Sequence, residues 1–228
     1  MAIETSTTVA ERILAIIRTR GLQAGDPMPT ELDLIGEIGV SRNTVREAIR
    51  ELRALGIVDV RHGYGTFVAE ASLRALTPSL VFRAIVAGPQ GLKALRNLAE
   101  IRELIEAGTV PTLCGTLAEA KKTRLYGLCD LMEDPAQMEA ADREFHRVMY
   151  EDIDNPLVGQ LVDVFWDAYH DAHHQLTESG KRTVVATAQA HRDIVQAIES
   201  GDKAGAEHAM HEHFDGIYTR LSDLGAEI

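Results

Sequence analysis

The chain has 228 residues, of which 45% are hydrophobic, and its 35 acidic and 23 basic side chains give a net charge of −12. This length suits two domains of modest size, and no apolar run approaches the roughly 20 residues of a membrane span, which excludes an integral membrane protein. The N-terminus lacks the basic-then-apolar order of a secretion signal, and the two cysteines have no CxxC spacing, so we expect reduced thiols in a cytoplasmic protein with no membrane partner.

The charge is unevenly distributed along the chain. Residues 1–68 carry 8 basic and 9 acidic side chains, whereas residues 69–228 carry 15 basic and 26 acidic ones. Because screening limits charge effects to about 8–10 Å at physiological salt, the acidic second part does not prevent the first part from binding nucleic acid. We therefore predict two domains, over residues 1–70 and 71–228.

The first domain has the pattern of three short helices followed by a hairpin. In chain order, the predicted elements are a helix over residues 8–20, a helix from Thr30 to Ile38, a helix between Ser41 and Gly56, and strands over residues 57–60 and 66–68. This is the order of a winged helix-turn-helix, in which the helix after the turn enters the major groove of DNA.

The third helix carries a row of arginines beside its apolar face. Arg42, Arg46, Arg50 and Arg53 are spaced by four, four and three residues, which places them within about 80° of arc. The planar guanidinium group can bind two acceptors of guanine or hold a phosphate. A solvated row paired with glutamates of the same helix is the alternative, but the turn before this helix and the hairpin after it favour DNA binding.

The second domain is predicted to be an all-helical bundle of six or seven helices, interrupted by glycine and proline. The predicted fold class is therefore mainly α, with an N-terminal winged helix-turn-helix domain followed by this bundle. Eight of the nine histidines lie in the second domain. The helical phase predicts that His170 and His174 lie opposite the apolar arc of their helix, and that His208 and His211 point away from the core. His170 and His174 are four residues apart, a good spacing for an alternative metal pair, but this predicted orientation disfavours them.

Four potential metal ligands are predicted to face the interior of the bundle. Asp142 and His146 border the apolar arc of one helix, and His191 and His213 lie within the apolar faces of two others. Burying three imidazoles and a carboxylate is costly unless they share a partner. A divalent metal suits these donors, with zinc first and nickel, manganese or iron as alternatives. For any single histidine, a hydrogen-bonded core residue is the competing interpretation.

The segment PTELDLIGEIGVSRNTVREAIRELRALGIVDVRHGYGTFV resembles the DNA-binding half of the GntR family of bacterial repressors, and the helical remainder is similar to the FCD-type ligand domain of its FadR-like branch. The resemblance implies DNA contacts by the start of the third helix and by the glycine-containing wing. The implied residues are Arg42, Asn43, Thr44, Arg46, Arg50, His62, Gly63 and Gly65.

The resemblance also implies a metal site. Metal-binding members of this branch have a DxxFH motif followed by one histidine on each of the last two helices, and the matching residues are Asp142, His146, His191 and His213. Two positions depart from the usual pattern. Leu32 stands where relatives usually carry an arginine, and Pro111 interrupts a helix that relatives usually continue.

Arg102 lies on the buried side of its predicted helix, one turn before Glu106. An internal ion pair with Glu106 is one interpretation. The other, which the resemblance supports, is an anchor for the carboxylate of a small metabolite whose remaining oxygens reach the metal.

These observations predict a homodimeric transcriptional regulator, in the form of a repressor that binds a palindromic operator in double-stranded DNA and responds to a small organic acid at its metal site. Two alternatives are a DNA-binding regulator with a purely structural metal and a metallohydrolase-type enzyme. The enzyme is disfavoured because no further glutamate or serine stands at an identifiable spacing to act as a base, and because an enzyme has no use for a winged DNA-binding domain.

Overall fold

The structure is a computed structural model that describes residues 7–70, 72–176 and 184–225. The chain forms two compact units, Met1–Ala75 and Leu76–Ile228, each with its own hydrophobic core. The fold is mainly helical with a small two-stranded wing, as predicted. No helix within the described ranges is long and apolar enough to cross a membrane.

Within the described residues, the first unit contains three α-helices and one hairpin. In chain order they are α1 (Val9–Thr19), α2 (Glu31–Ile38), α3 (Arg42–Ala54), β1 (Val58–Arg61) and β2 (Gly65–Val68). The strands pair antiparallel, with Val58 opposite Val68 and Arg61 opposite Gly65. Side chains from all three helices form the core, in which Ile13, Leu34 and Val45 are completely buried.

The helix starts in this unit are fixed by side-chain caps. Thr30 forms a capping box with Asp33 at the start of α2, and the Ser41 hydroxyl accepts a hydrogen bond from the Thr44 backbone N–H at the start of α3. Gly39 ends α2 at φ 74°, a left-handed conformation that glycine adopts without the steric cost of a Cβ atom. These caps set the tight turn that presents α3 to the outside.

The second unit is a helical bundle. Its α-helices are α4 (Thr77–Val86), α5 (Gly91–Thr109), α6 (Glu119–Leu131), α7 (Met138–Tyr150), α8 (Pro156–Leu176), α9 (Val184–Ser200) and α10 (Lys203–Asp223). Helix α10 packs against α9 and α5, while α8 packs against α4, α5 and α7. Helices α5, α7, α9 and α10 all contribute completely buried side chains to the core, among them Leu95, Phe145, Ile194 and Phe214.

The chain leaves the regular α-helix before Pro111, as predicted. Helix α5 ends at Thr109, and the following residues, Val110–Leu113, form a 3₁₀ turn. Proline lacks a backbone N–H and clashes with the preceding helical turn, so it cannot continue the helix. This turn packs against α10.

Candidate metal centre and DNA-binding surface

The start of helix α3 presents polar side chains to solvent. Arg42, Asn43, Thr44, Arg46 and Arg50 are all exposed, whereas the residues on the opposite side of the helix are buried in the core of the first unit. Because the backbone N–H groups at a helix start also favour anions, this end of α3 combines fixed donors with mobile arginines. The arrangement suits contact with base edges and phosphates.

Two of these arginines form ion pairs on the protein surface. Arg46 Nε lies 3.2 Å from Glu31 Oε1 at the start of α2, and Arg50 pairs with Glu47 within α3. Exposed ion pairs of this kind contribute little to stability, so they can be exchanged for phosphate contacts. The pairing with Glu31 holds the Arg46 side chain against the first residue of α2.

The hairpin tip is also exposed. His62, Gly63 and Gly65 lie at the surface, with φ of 79° at Gly63 and 112° at Gly65, values that favour glycine. The exposed tip also includes Tyr64, which is 84% exposed, and Arg61, whose guanidinium lies 4.3 Å from the centre of the Phe67 ring. The predicted wing segment, His62 to Gly65, includes Tyr64 but not Arg61, which comes directly before it in RHGYG.

Leu32 on α2 is 68% exposed. It occupies the position at which GntR-family relatives usually carry an arginine. It therefore adds an uncharged apolar side chain to the surface of the first unit and no phosphate contact.

Three histidines converge in the interior of the second unit. His146 on α7, His191 on α9 and His213 on α10 are buried, and one ring nitrogen from each lies within 4.8 Å of the others. Each helix buries one apolar face, and each histidine lies on that face. The bundle thus brings together three imidazoles from segments that are far apart in sequence.

Asp142 lies beside this histidine cluster, one helical turn before His146 on α7. Its Oδ1 atom is 3.0 Å from His191 Nε2 and 3.9 Å from His146 Nε2. Its other oxygen, Oδ2, accepts a hydrogen bond of 2.6 Å from Trp166 Nε1 on α8. One carboxylate oxygen is therefore fixed by the indole, and the other is directed at the histidines.

The outer nitrogens of two histidines have partners of their own. His191 Nδ1 lies 2.7 Å from the Thr187 backbone carbonyl oxygen, and His146 Nδ1 lies 2.5 Å from Glu106 Oε2 on α5. Both partners are acceptors, so a neutral ring must carry its proton on Nδ1. The lone pair is then on Nε2 and faces the cluster, as it does in a metal-ligating histidine.

The histidine cluster fits a metal ion better than it fits a purely hydrogen-bonded core. Among the described residues, the Nε2 atoms of His146, His191 and His213 are buried and make no hydrogen bond. His191 Nε2 and Asp142 Oδ1 lie 3.0 Å apart, and in this tautomer no proton lies between them. Facing acceptors at such distances are satisfied by a shared cation, either a proton on His191 or a metal ion, and three imidazoles with one carboxylate suit a divalent metal.

Burial and neighbouring charges shift the pKa values of this site. Burial opposes ionisation of Asp142, but His191 at 3.0 Å, followed by the neighbouring His146 and His170, holds the pKa of Asp142 well below its ordinary value. Burial, followed by the neighbouring His191 and His146, holds the pKa of His213 well below 6.5. A neutral His213 and an ionised Asp142 are the forms that bind a metal.

One prediction about the remaining histidines is wrong. The helical phase predicts that His170 points away from the core, but this residue is only 5% exposed. Its ring stacks on that of Trp166, and its Nε2 atom lies 4.0 Å from Asp142 Oδ2. Helix α8 packs against three other helices, so it is buried on more than one face and a single apolar arc does not describe it. His174, His208 and His211 are exposed, as predicted.

Arg102 forms the internal ion pair that the sequence left open. It is 1% exposed, and its Nη2 and Nε atoms lie 2.9 and 3.0 Å from Glu106 Oε1. Its guanidinium carbon is 5.3 Å from the centre of the Phe214 ring. Burial opposes ionisation of Glu106, but His146 and Arg102 outweigh this effect, so the pKa of Glu106 is lower than its ordinary value.

Comparison with known proteins gives two family matches. Residues 5–68 match the family described as "Bacterial regulatory proteins, gntR family", and residues 97–216 match the FCD domain. The chain is 29% identical to the "Putative L-lactate dehydrogenase operon regulatory protein" of Escherichia coli strain K12, over 95% of this chain and 86% of the relative. It is 30% identical to the "HTH-type transcriptional regulator Mce2R" of Mycobacterium tuberculosis, over 93% of this chain and 90% of that relative.

The fold is similar to solved structures of the same kind. The "Streptococcus agalactiae GntR" structure superposes with a TM-score of 0.65 at 25% identity, covering 93% of this chain and 98% of the other. The E. coli McbR/YncC structure shares the fold, with a TM-score of 0.52 at 16% identity. The match covers 95% of this chain and 98% of the other. These relatives are transcriptional regulators and not enzymes, which argues against the metallohydrolase alternative.

Proposed function

Because this chain belongs to the GntR family of bacterial regulatory proteins and carries an FCD domain after its helix-turn-helix, we propose that it is a homodimeric repressor whose operator binding is controlled by a small organic acid at a metal site. The observation that carries this proposal is the coexistence of two features in one chain. The first unit exposes an arginine row on a capped helix, and the second unit buries three histidines whose Nε2 atoms face one another.

The DNA-binding part of the proposal rests on α3 and the hairpin. Arg42, Asn43 and Thr44 occupy the first turn of α3, where recognition helices reach base edges, and Arg46 and Arg50 follow on the same exposed side. His62, Gly63 and Gly65 would place the hairpin tip against the backbone or the minor groove. A protein that binds operator DNA in this way acts in the cytoplasm.

A palindromic operator requires two copies of this surface. Half-sites on DNA are separated by about 34–36 Å or a multiple of it, so a dimer must hold two α3 helices at that spacing. We place the dimer contact in the second unit, where Ile101 and Leu104 on α5 and Phe82 and Val86 on α4 are exposed apolar residues. Removal of residues 1–70 should leave a dimer in light scattering, and a monomer would contradict this placement.

The proposed metal ligands are Asp142, His146, His191 and His213. Zinc is the first candidate for the metal, and nickel, manganese or iron are alternatives. When bound, the metal supplies a positive centre for an anionic oxygen. The residues of the chain supply the rest: three neutral imidazoles, one carboxylate and a water-excluding interior.

Arg102 is the proposed anchor for the carboxylate of the effector. Its guanidinium is buried and pairs with Glu106, which in turn contacts His146 of the proposed metal site. An anionic ligand would compete with the Glu106 carboxylate for this guanidinium. The E. coli relative is named for the operon of an L-lactate dehydrogenase, an enzyme of a small hydroxy acid, which supports an organic acid as the effector class.

The substitution Arg46→Ala tests operator binding. Loss of a base contact costs about 1–3 kcal/mol, and loss of a phosphate contact lowers the salt dependence by about one unit. Arg18→Ala on α1 is the matched control, because it removes the same charge from an exposed site outside α3. Gel-shift titrations at several salt concentrations should show a loss for Arg46→Ala alone. An affinity within about twofold of the unmodified protein would exclude Arg46 as a DNA contact.

The Arg102–Glu106 pair also favours a second candidate, in which the metal is purely structural and no effector binds. Titration of the protein–operator complex with a panel of small mono- and dicarboxylates separates the two. A change in operator affinity that is lost in Arg102→Met, at a temperature at which this variant is folded and still binds the operator, supports the effector role. No change with any acid, in a protein that holds metal and binds DNA, supports the structural metal.

A further inference from the structure

Glu106 joins two parts of the second unit that the proposed function treats separately. Its side chain is completely buried on α5. One oxygen, Oε1, lies 2.9 and 3.0 Å from the Arg102 guanidinium nitrogens, while the other, Oε2, lies 2.5 Å from His146 Nδ1. A single carboxylate therefore contacts a candidate anion-binding arginine and a candidate metal ligand.

The direction of each hydrogen bond is set by the chemistry of the two partners. Arginine has only donors, so Oε1 must accept from Arg102. An ionised carboxylate has no proton to donate, so His146 must donate from Nδ1, and its Nε2 lone pair then faces His191 and His213. The ring orientation of His146 depends in this way on a side chain from another helix.

His191 is held differently. Its Nδ1 atom lies 2.7 Å from the backbone carbonyl oxygen of Thr187, one turn earlier in the same helix. That acceptor moves with α9 itself, so it cannot transmit a change from α5. For His146 the acceptor belongs to α5 and is shared with Arg102.

We propose that Glu106 is a positioning residue that fixes the tautomer and direction of His146 and links the metal site to the Arg102 guanidinium. The inference rests on the metal site of the proposed function. Partners of this kind, which contact a ligand but not the metal, typically change metal affinity by about 10–100-fold when they are mutated. Because binding equilibria are reciprocal, any anion that changes how Arg102 holds Glu106 also changes the metal affinity.

The substitution Glu106→Gln is a sharp test because glutamine is isosteric but has one acceptor oxygen and one donor NH₂ group. Arg102 requires the oxygen, so the NH₂ group would face His146 Nδ1. That contact favours the opposite tautomer, with the proton on Nε2, which cannot bind a metal through Nε2. Glu103→Gln is the matched control, since Glu103 lies on the same helix but accepts hydrogen bonds from Tyr218 and His211 at the surface.

The full-length protein, stripped with a chelator, is titrated with zinc against a competing chelator. We expect zinc affinity to fall by about 10–100-fold in Glu106→Gln and to stay within about twofold in Glu103→Gln. An unchanged affinity in Glu106→Gln, with zinc binding intact in the unmodified protein, would overturn the inference but leave the metal site standing. An unmodified protein that binds no zinc would instead overturn the metal site.

A spectroscopic measurement keeps the test independent of the variant's stability. In the unmodified protein labelled with ¹⁵N-histidine, the chemical shifts of His146 should report a proton on Nδ1 both without and with zinc. In Glu106→Gln the proton should move to Nε2, a change that a general loss of packing would not produce. A proton on Nε2 of His146 in the unmodified protein would contradict the proposal even if the variant did not fold.

Discussion

The buried ion pair between Arg102 and Glu106 predicts that Arg102→Met strongly destabilises the second unit. Both side chains are essentially inaccessible, at 1% and 0% exposure. Removal of one partner from such a pair costs about 3–5 kcal/mol, because the other charge remains buried without compensation. We expect a value near the lower end, about 3 kcal/mol, since His146 still donates to Glu106 and methionine fills much of the vacated volume.

The chain provides its own probe for this measurement. Trp166 on α8 is the single tryptophan, so its fluorescence reports the unfolding of the second unit alone. Urea titrations with a chelator present remove the contribution of metal, and the same protein concentration for every variant keeps the mass-action effect of dimerisation comparable. With an m value of about 2 kcal/mol per M, a loss of about 3 kcal/mol lowers the urea midpoint by about 1.5 M.

A double variant separates the charge effect from lost packing. Arg102→Met combined with Glu106→Gln removes both charges, so it should be less destabilised than the sum of the two single variants. A cost below about 1 kcal/mol for Arg102→Met, or strict additivity in the double variant, would refute the reasoning, because neither outcome is compatible with an uncompensated buried carboxylate.

Three further predictions concern the metal site and the thiols. His191→Ala should lose most of its zinc by elemental analysis, whereas the exposed His211→Ala should keep it; full zinc content in the first variant would exclude His191 as a ligand. Zinc titration should change the fluorescence of Trp166, because its indole N–H donates to Asp142, and a flat titration in a zinc-binding protein would argue against Asp142 as a ligand. Burial raises the pKa of the Cys129 thiol to about 12, so this thiol should stay protonated at pH 8. It should resist a thiol reagent that labels the partly exposed Cys114, and two rapidly labelled thiols in the folded protein would contradict this.

The sequence predicts the first unit well because its signals are local. Thr30, Ser41 and Gly39 each act within a few residues, so the starts of α2 and α3 and the turn between them follow from the order of residues alone. The exposed side of α3 follows equally from its periodicity. Arg61 lies outside the predicted wing contacts, and its position over the Phe67 ring comes from the pairing of the two strands.

The second unit shows where this reasoning stops. Helices α7, α9 and α10 each bury one face, so the helical phase was enough to direct their histidines inward and to bring them together. Helix α8 contacts three neighbours, and its periodicity therefore misplaced His170. Glu106 on α5 and His146 on α7 are 40 positions apart in the sequence, and the periodicity of neither helix predicts their contact.

The three histidines also have a consequence for the amount of this regulator in a cell. A metal bound by α7, α9 and α10 would act as a cross-link between distant segments, which restricts the unfolded chain and slows the local opening that exposes a protein to proteases. A chain made under metal starvation would lack this cross-link and would be degraded sooner. The same site would then make the amount of this regulator, and so the transcription of its target genes, respond to metal supply through the lifetime of the protein.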